Sequence, residues 1–231
     1  MGVCDLMTRL KRVVLDRLVR YYRYLTEVTA ESSVTTITSA RIGTALDVDP
    51  SQVRKDFAAV GLVGMSRVGY DACEICRTIR TVLGFDRPYE GVLVGAGNLG
   101  RAILAYPEFG RYGLRIVAAF DSDPFKVGRH VGGHAILPIR DLATFLVVGQ
   151  VRLAVLATPS AAAQPLADLL VSCGVTAIWN FTPARLAVPR GVLARGERFS
   201  AGLGEIAYHL TNSRVARETP EVAADGVLME L

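Results

Sequence analysis

The stretch Val92-Leu93-Val94-Gly95-Ala96-Gly97-Asn98-Leu99-Gly100 reads as a strand that runs into a glycine-rich turn and out into a helix. The three glycines in Gly95-x-Gly97-x-x-Gly100 spacing have separate tasks. The first permits the tight turn, the second lets the backbone approach a pyrophosphate, and the third lets helix and strand pack closely. The phosphates then meet unpaired N–H groups at the positive end of the helix. Alone, the spacing is a weak sign, because small turns match it by chance. Its surroundings strengthen it. A second strand, "RIVAAFD", ends in Asp121, 21 residues after Gly100. A carboxylate there accepts both ribose hydroxyls and repels a 2′-phosphate, which favours NAD(H) over NADP(H). The alternative role for Asp121 is to cap the loop at Asp123-Pro124.

Downstream, strands and helices alternate. Short runs rich in β-branched and small apolar residues place strands at 91–95, 115–121, 152–157 and 175–181, with a weaker one at 197–200. Helices fall at 99–105, 139–146, 161–173 and 203–211. The pattern predicts a doubly wound α/β domain with a parallel sheet. The far half of its site lies beyond the fourth and fifth strands, at Ala157-Thr158-Pro159-Ser160 and Asn180-Phe181-Thr182-Pro183. There the prolines shape a nicotinamide pocket, Phe181 packs, and Thr158 and Asn180 hydrogen-bond. Hydride transfer to a carbonyl needs a positioned acid, and no His, Lys or Tyr stands at these strand ends. His130 and His134 fall in a glycine-rich loop and His209 in the last helix. The pocket is read as one that senses a cofactor and does no chemistry with it; no catalytic residue is assigned.

Upstream the period is helical. Leu10, Val13, Val14, Leu18, Tyr21, Tyr22 and Leu25 give residues 8–26 a wide apolar face. "TEVTAESSVTT" reads as a loop, and 38–46 as a second helix. In "DPSQVRKDF", Asp49 caps a third helix over 51–60, Pro50 takes its first position and Gln52 completes a capping box. Two short helices joined tightly form a helix-turn-helix. The stretch broken by Gly61, Gly64 and Gly69 reads as a two-stranded wing, and 71–83 as a further helix. The recognition helix presents Ser51, Gln52, Arg54 and Lys55 to a major groove, Gln52 suiting adenine and the cations guanine or phosphate. Val53 and Phe57 anchor it inward. Arg67 in the wing reaches a minor groove or a phosphate.

The chain has 231 residues, half of them hydrophobic, and no apolar run near membrane-span length, so no membrane role is expected. The formal net charge of +4 is uneven: residues 1–25 carry six basic and two acidic groups, residues 211–231 two and four. A basic first helix permits nucleic-acid binding. No signal segment is seen, and the four cysteines fit a reduced, cytoplasmic protein. Cys73-Glu74-Ile75-Cys76 is the one CxxC. It has no matching second ligand pair, so no metal is assigned, and it reads as two small side chains on one helix face.

"QVRKDF", "VGY", "VGAGNLGRA", "AAFDSDPFKVG", "TPSAAAQPLADLL", "NFTPARLAVP" and "IAYHL" follow one another in an order that resembles the Rex family of redox-sensing transcriptional repressors, over residues 8–211. The resemblance implies a homodimer that binds a palindromic operator in double-stranded DNA, senses the NADH/NAD+ ratio and leaves DNA when NADH binds. It implies a winged-helix domain at 1–85, an NAD(H)-binding Rossmann-like domain at 86–202, and a C-terminal helix swapped between subunits, followed by a disordered tail, at 203–231. On this reading Gly95, Gly97 and Gly100 cradle the pyrophosphate, with Asn98, Leu99 and Lys126 in the same site. Asp121 holds the adenine ribose. Thr158, Pro159, Asn180 and Phe181 surround the nicotinamide. Ser51, Gln52, Arg54, Lys55 and Arg67 meet DNA.

Three departures mark this chain. The recognition helix ends Ala58-Ala59-Val60-Gly61 where the family has Ser-Tyr-Phe-Gly. The wing reads Met65-Ser66-Arg67-Val68-Gly69-Tyr70 where the family has Lys-Arg-Gly-Val-Gly-Tyr. The family's Arg/Tyr/Asp switch is matched by Arg23 and Tyr106, but Glu197-Arg198-Phe199-Ser200 puts Arg198 where the Asp belongs. The expectation is a redox coupling that is weakened or rewired. The competing readings are a paralogue that no longer senses NADH, an NAD-dependent oxidoreductase, and a nucleotide- or CoA-binding interaction domain on the same fold.

Overall fold

The amphipathic stretch near the N-terminus folds as α1 (Arg12–Glu31), which begins after Leu10 and Lys11 and runs about one turn beyond the expected end at residue 26. Of the run expected as a loop, residues 26–31 are helical and 34–35 are not; the helical part is favoured because its hydroxyls are satisfied within the helix. Thr26 donates to the Tyr22 carbonyl at 2.9 Å and Thr29 to that of Leu25 at 2.8 Å. The computed structural model describes residues 10–31, 34–197 and 199–218. Arg198 and the tail beyond 218 lie outside the described residues. The chain divides into two compact units, residues 1–89 with 106–115 and residues 90–105 with 116–231.

In the first unit α1 is followed by β1 (Thr36–Ile37), α2 (Ser39–Leu46), α3 (Pro50–Ala59), β2 (Tyr70–Asp71) and α4 (Ala72–Leu83). Leu18, Tyr21 and Leu25 from α1 pack with Ile42, Val53, Phe57, Ile75 and Ile79 in one core. Val53 and Phe57 are both fully buried, as their four-residue spacing predicts. The two-stranded wing is smaller than expected. A single bridge, Met65 to Gly69, closes a tight turn, and β2 pairs with β1. Gly69 has φ +105°, and a Cβ there would stand 2.4 Å from the Ile37 carbonyl oxygen. Only glycine fits, because the wing backbone lies against β1.

The second unit is built on β3 (Tyr89–Val94), α5 (Asn98–Leu104), β4 (Leu114–Asp121), β5 (His130–Val131), β6 (His134–Pro138), α6 (Leu142–Gly149), β7 (Leu153–Leu156), α7 (Ser160–Ser172), β8 (Ala177–Asn180), β9 (Leu193–Gly196) and α8 (Phe199–Glu218). The sheet order is β5-β6-β4-β3-β7-β8-β9, with the β3–β7, β4–β6, β7–β8 and β8–β9 pairs parallel. Leaving out the edge strand β5, the chain order is 3-2-1-4-5-6, that of dinucleotide-binding doubly wound folds. Direction reverses between β3 and β7, so the crevice opens where Val94 pairs with Leu156. Val92, Val94, Phe120, Leu146, Leu156 and Ile178 form the core beneath it.

Two elements depart from the predicted pattern. The loop "GRHVGGHAI" is a hairpin: β5 and β6 pair antiparallel around Gly132 and Gly133, both at positive φ, as a two-residue turn between twisted strands requires. The weak strand at 197–200 is displaced. The strand is β9, and α8 begins where it was placed. Leu-Ala-Arg-Gly has no β-branched or aromatic residue to announce a strand; its pairing to β8 makes it one.

Candidate functional site

At the reversal point the chain leaves β3 through Gly95, whose φ is +99°. A Cβ there would lie 2.5 Å from the Ala157 carbonyl oxygen and 2.8 Å from the Thr158 methyl, so the two strand ends meet backbone to backbone. A Cβ on Gly100 would stand 1.9 Å from the Gly95 carbonyl oxygen, closing α5 onto the turn. Gly97 is different. It caps α5, and a Cβ added there would touch nothing within 4 Å. The first and third glycines are consumed by packing, and the second opens onto free space. Asn98 is exposed and Leu99 half-buried at the start of α5.

Asp121 ends β4 and is 7% exposed. Its Oδ2 accepts the Ala96 N–H at 2.8 Å and the Lys126 ammonium at 3.1 Å, and its Oδ1 accepts the Asp123 N–H at 2.9 Å. The residue does two jobs, clamping the glycine turn and capping its own loop. Three of about four acceptor positions on the carboxylate are used, which leaves one for an outside hydroxyl where the sequence reading gave it two. Burial acts to raise its pKa, but the Asp123 and Ala96 N–H groups and the Lys126 charge outweigh it and hold the carboxyl below its ordinary range. Lys126 also reaches Asp123 at 3.7 Å. With two carboxylates against one ammonium, the cluster is net negative.

Across the crevice, Thr158 presents a buried Oγ1 that has no hydrogen-bond partner among the described residues. A buried hydroxyl without a partner is costly. Pro159 is exposed beside it. Asn180, read as a nicotinamide ligand, is 3% exposed and turned into its own loop. Its Oδ1 accepts from the Thr182 N–H and hydroxyl at 2.9 and 2.7 Å, and its Nδ2 donates to the Ala184 carbonyl at 2.8 Å. It shapes the loop that carries Phe181, whose ring lies 4.8 Å from that of Trp179. Trp179 in turn donates to Glu197 Oε1 at 3.0 Å, and Arg195 pairs with the same carboxylate.

In the first unit, Asp49 caps α3 by accepting the Ser51 N–H at 2.7 Å. The expected capping box does not close, because the Gln52 side chain is drawn the other way. Its Nε2 donates to Asp56 Oδ1 at 2.9 Å. Asp56 is 2% exposed and also accepts two bonds from Arg17, at 2.6 and 2.8 Å, and the Tyr21 hydroxyl at 2.9 Å. This network ties α1 to α3 and was not legible as a site, since its four members lie on two helices far apart in sequence. Ser51, Arg54 and Lys55 are exposed on α3, with Arg54 donating to Ser39 at 3.1 Å. Arg67 sits at the wing tip with φ +64° and is exposed. Arg23 is exposed on α1, and Tyr106 packs edge-on against Phe109 at 4.9 Å. Burial raises the Tyr112 pKa, and the charge of Arg23 opposes it while the Tyr106 side raises it. The charges of Arg23 and Tyr106 thus both bear on Tyr112, while Arg198, expected to complete the trio, lies outside the described residues.

Comparison with known proteins follows the same division. A family model described as "CoA binding domain" matches residues 86–184, and one described as "Putative DNA-binding protein N-terminus" matches residues 12–58. The "Redox-sensing transcriptional repressor Rex" of Clostridium botulinum (strain Eklund 17B / Type B) is 34% identical over 210 residues, covering 91% of this chain and 100% of that protein. The crystal structure of RSP, a Rex-family repressor, in complex with beta-NADH superposes with a TM-score of 0.83 at 31% identity, covering 91% of this chain and 98% of that one. RSP in complex with beta-NAD+ and operator DNA superposes with a TM-score of 0.84 at 31% identity, covering 91% and 96%.

Proposed function

The chain belongs to the Rex family of redox-sensing transcriptional repressors, and on that premise we propose that it binds a palindromic operator as a homodimer, senses the NADH/NAD+ ratio and releases DNA when NADH binds. The observation that carries the dinucleotide reading is the crevice between β3 and β7. There a glycine turn closes at Gly95 and Gly100 and opens at Gly97, and Gly95 lies against Thr158, whose buried hydroxyl is orphaned. These residues fit NAD(H). Gly97, Asn98 and Leu99 offer backbone N–H groups to the pyrophosphate at the start of α5. Asp121 keeps one acceptor for a ribose hydroxyl, and Lys126 holds that carboxylate in place. Thr158, Pro159 and Phe181 line the nicotinamide end, with Asn180 holding their loop. The net negative Asp121, Asp123 and Lys126 cluster disfavours a 2′-phosphate. When bound, the dinucleotide supplies the signal through its ring, which is charged when oxidised and neutral when reduced.

On the DNA side, Ser51, Arg54 and Lys55 of α3 and Arg67 of the wing are the contact residues, and Gln52 works from behind them. We assign 1–85 to DNA binding, 86–202 to the dinucleotide and 203–231 to dimerisation. Leu203, Ile206 and Leu210 repeat at helical spacing on α8 and are all more than half exposed, a stripe that a second copy would cover. No helix among the described residues is long and apolar enough to cross a membrane, and we place the repressor in the cytoplasm with its operator. The decisive test is operator affinity at fixed salt with NADH, NAD+, NADPH and CoA added in turn. Release by NADH alone is expected. Equal response to CoA, or none to NADH, would overturn the reading.

A further inference from the structure

We propose that Cys73 and Cys76 are a thiol-oxidation site, closing to a reversible disulfide with hydrogen peroxide as oxidant and giving the DNA-binding unit a second redox input. Its effect on DNA rests on the operator-binding reading above; the disulfide itself does not.

Both thiols are free and lie on the first turns of α4, Cys73 exposed and Cys76 half-buried. They share a cleft of about 360 Å³ between α1 and α4, lined also by Tyr22, Thr26, Arg77 and Arg80. The cleft is large enough to admit a small oxidant. Residues three apart on a helix have Cβ atoms about 5–6 Å apart, and a disulfide needs about 3.5–4.5 Å. Closure therefore requires a shift of the first turn. That turn has no intrahelical partners for its N–H groups; it is held by one side-chain cap, from the Glu74 N–H to Asp71 Oδ1 at 2.8 Å, and by the Ala72 N–H to the Thr35 carbonyl at 2.9 Å, and it is these two bonds that must give.

The chemistry divides between the two sulfurs. Burial, and then the charge of Cys73, push the Cys76 thiol up to about 11, so Cys76 resolves and exposed Cys73 attacks first. The Cys73 thiolate, its proton given to water, displaces hydroxide from the peroxide. The O–O bond breaks, an S–O bond forms, and the hydroxide is protonated to water. Cys76 then gives up its proton and attacks the Cys73 sulfur; the S–S bond forms and the S–O bond breaks, releasing a second water. Two thiols lose two electrons, and one peroxide gains them.

The shift is read at the recognition helix. Asp71 belongs to β2, which pairs with β1, and Tyr70 of the same strand packs edge-on against Phe57 of α3 at 5.0 Å. Pulling the first turn of α4 toward Cys76 displaces β2, and through Tyr70 the helix that meets DNA.

The test treats the full-length reduced protein with hydrogen peroxide, maps thiols by alkylation and peptide mass, and measures operator affinity at fixed salt without dinucleotide. A Cys73–Cys76 peptide lighter by two hydrogens is expected, with operator affinity lower by about tenfold or more and restored by dithiothreitol. Cys173→Ser keeps the response, and Cys73→Ser and Cys76→Ser each abolish it while binding operator when reduced. Absence of the 73–76 linkage overturns the site, and a linkage that leaves affinity unchanged overturns the switch. If reduced protein binds no operator, the operator reading fails while the thiol map still decides the site.

Discussion

Gln52 donates its side-chain N–H to Asp56, one turn further along α3 and 2.9 Å away. The residue best suited by type to read an adenine edge is thereby tied to the interior. Asp56 has four donors and almost no exposure, and a buried carboxylate left short of partners is costly. The protein core, and not the groove, has first claim on Gln52.

Gln52→Ala is expected to lower operator affinity uniformly across base-pair variants, by about three- to fivefold, through a small loss of α3 stability on the order of 1 kcal/mol. Arg54→Ala and Lys55→Ala should instead each make the slope of log affinity against log salt shallower by about one. Fluorescence anisotropy over a salt series and a panel of operator variants separates the two. Loss of discrimination at one base pair in Gln52→Ala would show that Gln52 reads that base.

Asp56 sets an acid limit on the DNA-binding unit. Burial acts to raise its pKa, but the hydrogen bonds from Arg17, Tyr21 and Gln52 and the Arg17 charge prevail, and it titrates below its usual range. The folded value lies below the unfolded one of about 3.9. Its stabilisation is therefore complete above about pH 4 and is lost as pH falls through the depressed folded value. Asp56→Ala should cost about 3–5 kcal/mol at neutral pH, and Asp56→Asn should flatten the acid limb of this unit in thermal melts. Asp121 is shifted the same way for its own reasons, so the acid limb of the second unit should remain.

The two glycines Gly95 and Gly97 give opposite predictions. Gly95→Ala combines a positive φ with a 2.5 Å approach to backbone and should destabilise the second unit by more than about 1 kcal/mol. Gly97→Ala meets no protein atom, so melting should be unchanged while NADH affinity collapses, the methyl occupying the pyrophosphate's space. Thr158→Val removes an unpaired hydroxyl. Apo stability should hold or rise, and NADH binding should weaken by about 5- to 10-fold, the value of one hydrogen bond. Titration followed by Trp179 fluorescence, together with melting curves, checks all three.

Much of this was legible in the sequence because it is local. The Gly95–Gly100 turn, the Asp49-Pro50 start of α3 and the inward pair Val53 and Phe57 depend on neighbours a few residues away, and the structure places them as the pattern predicts. What the pattern missed depends on partners distant in sequence. Nothing around Gln52 announces that Arg17 and Tyr21 deliver charge and a hydroxyl to Asp56. Nothing in Leu193–Gly196 announces a strand until β8 offers its edge. The β5–β6 hairpin is an exception, since Gly132-Gly133 between short apolar runs is itself a hairpin signal.

Glu197 stands next to the position where the family carries its switch aspartate, and the structure gives it other work. It accepts from Trp179 Nε1 at 3.0 Å and from Arg195 at 3.3 Å, closing the link between β8 and β9 beside the Phe181 loop. An acid so engaged ties Trp179 to Arg195, and the expectation is that it does not stand in for the family's aspartate. Glu197→Gln keeps an acceptor for Trp179 and loses only the charge, so NADH-driven release should stay within about twofold of the parent, with a shift in Trp179 emission. Arg198→Asp places the family's acid at its own position and should enlarge the NADH-driven loss of operator affinity. If Glu197→Gln abolishes release and Arg198→Asp leaves it unchanged, Glu197 is the rewired switch after all.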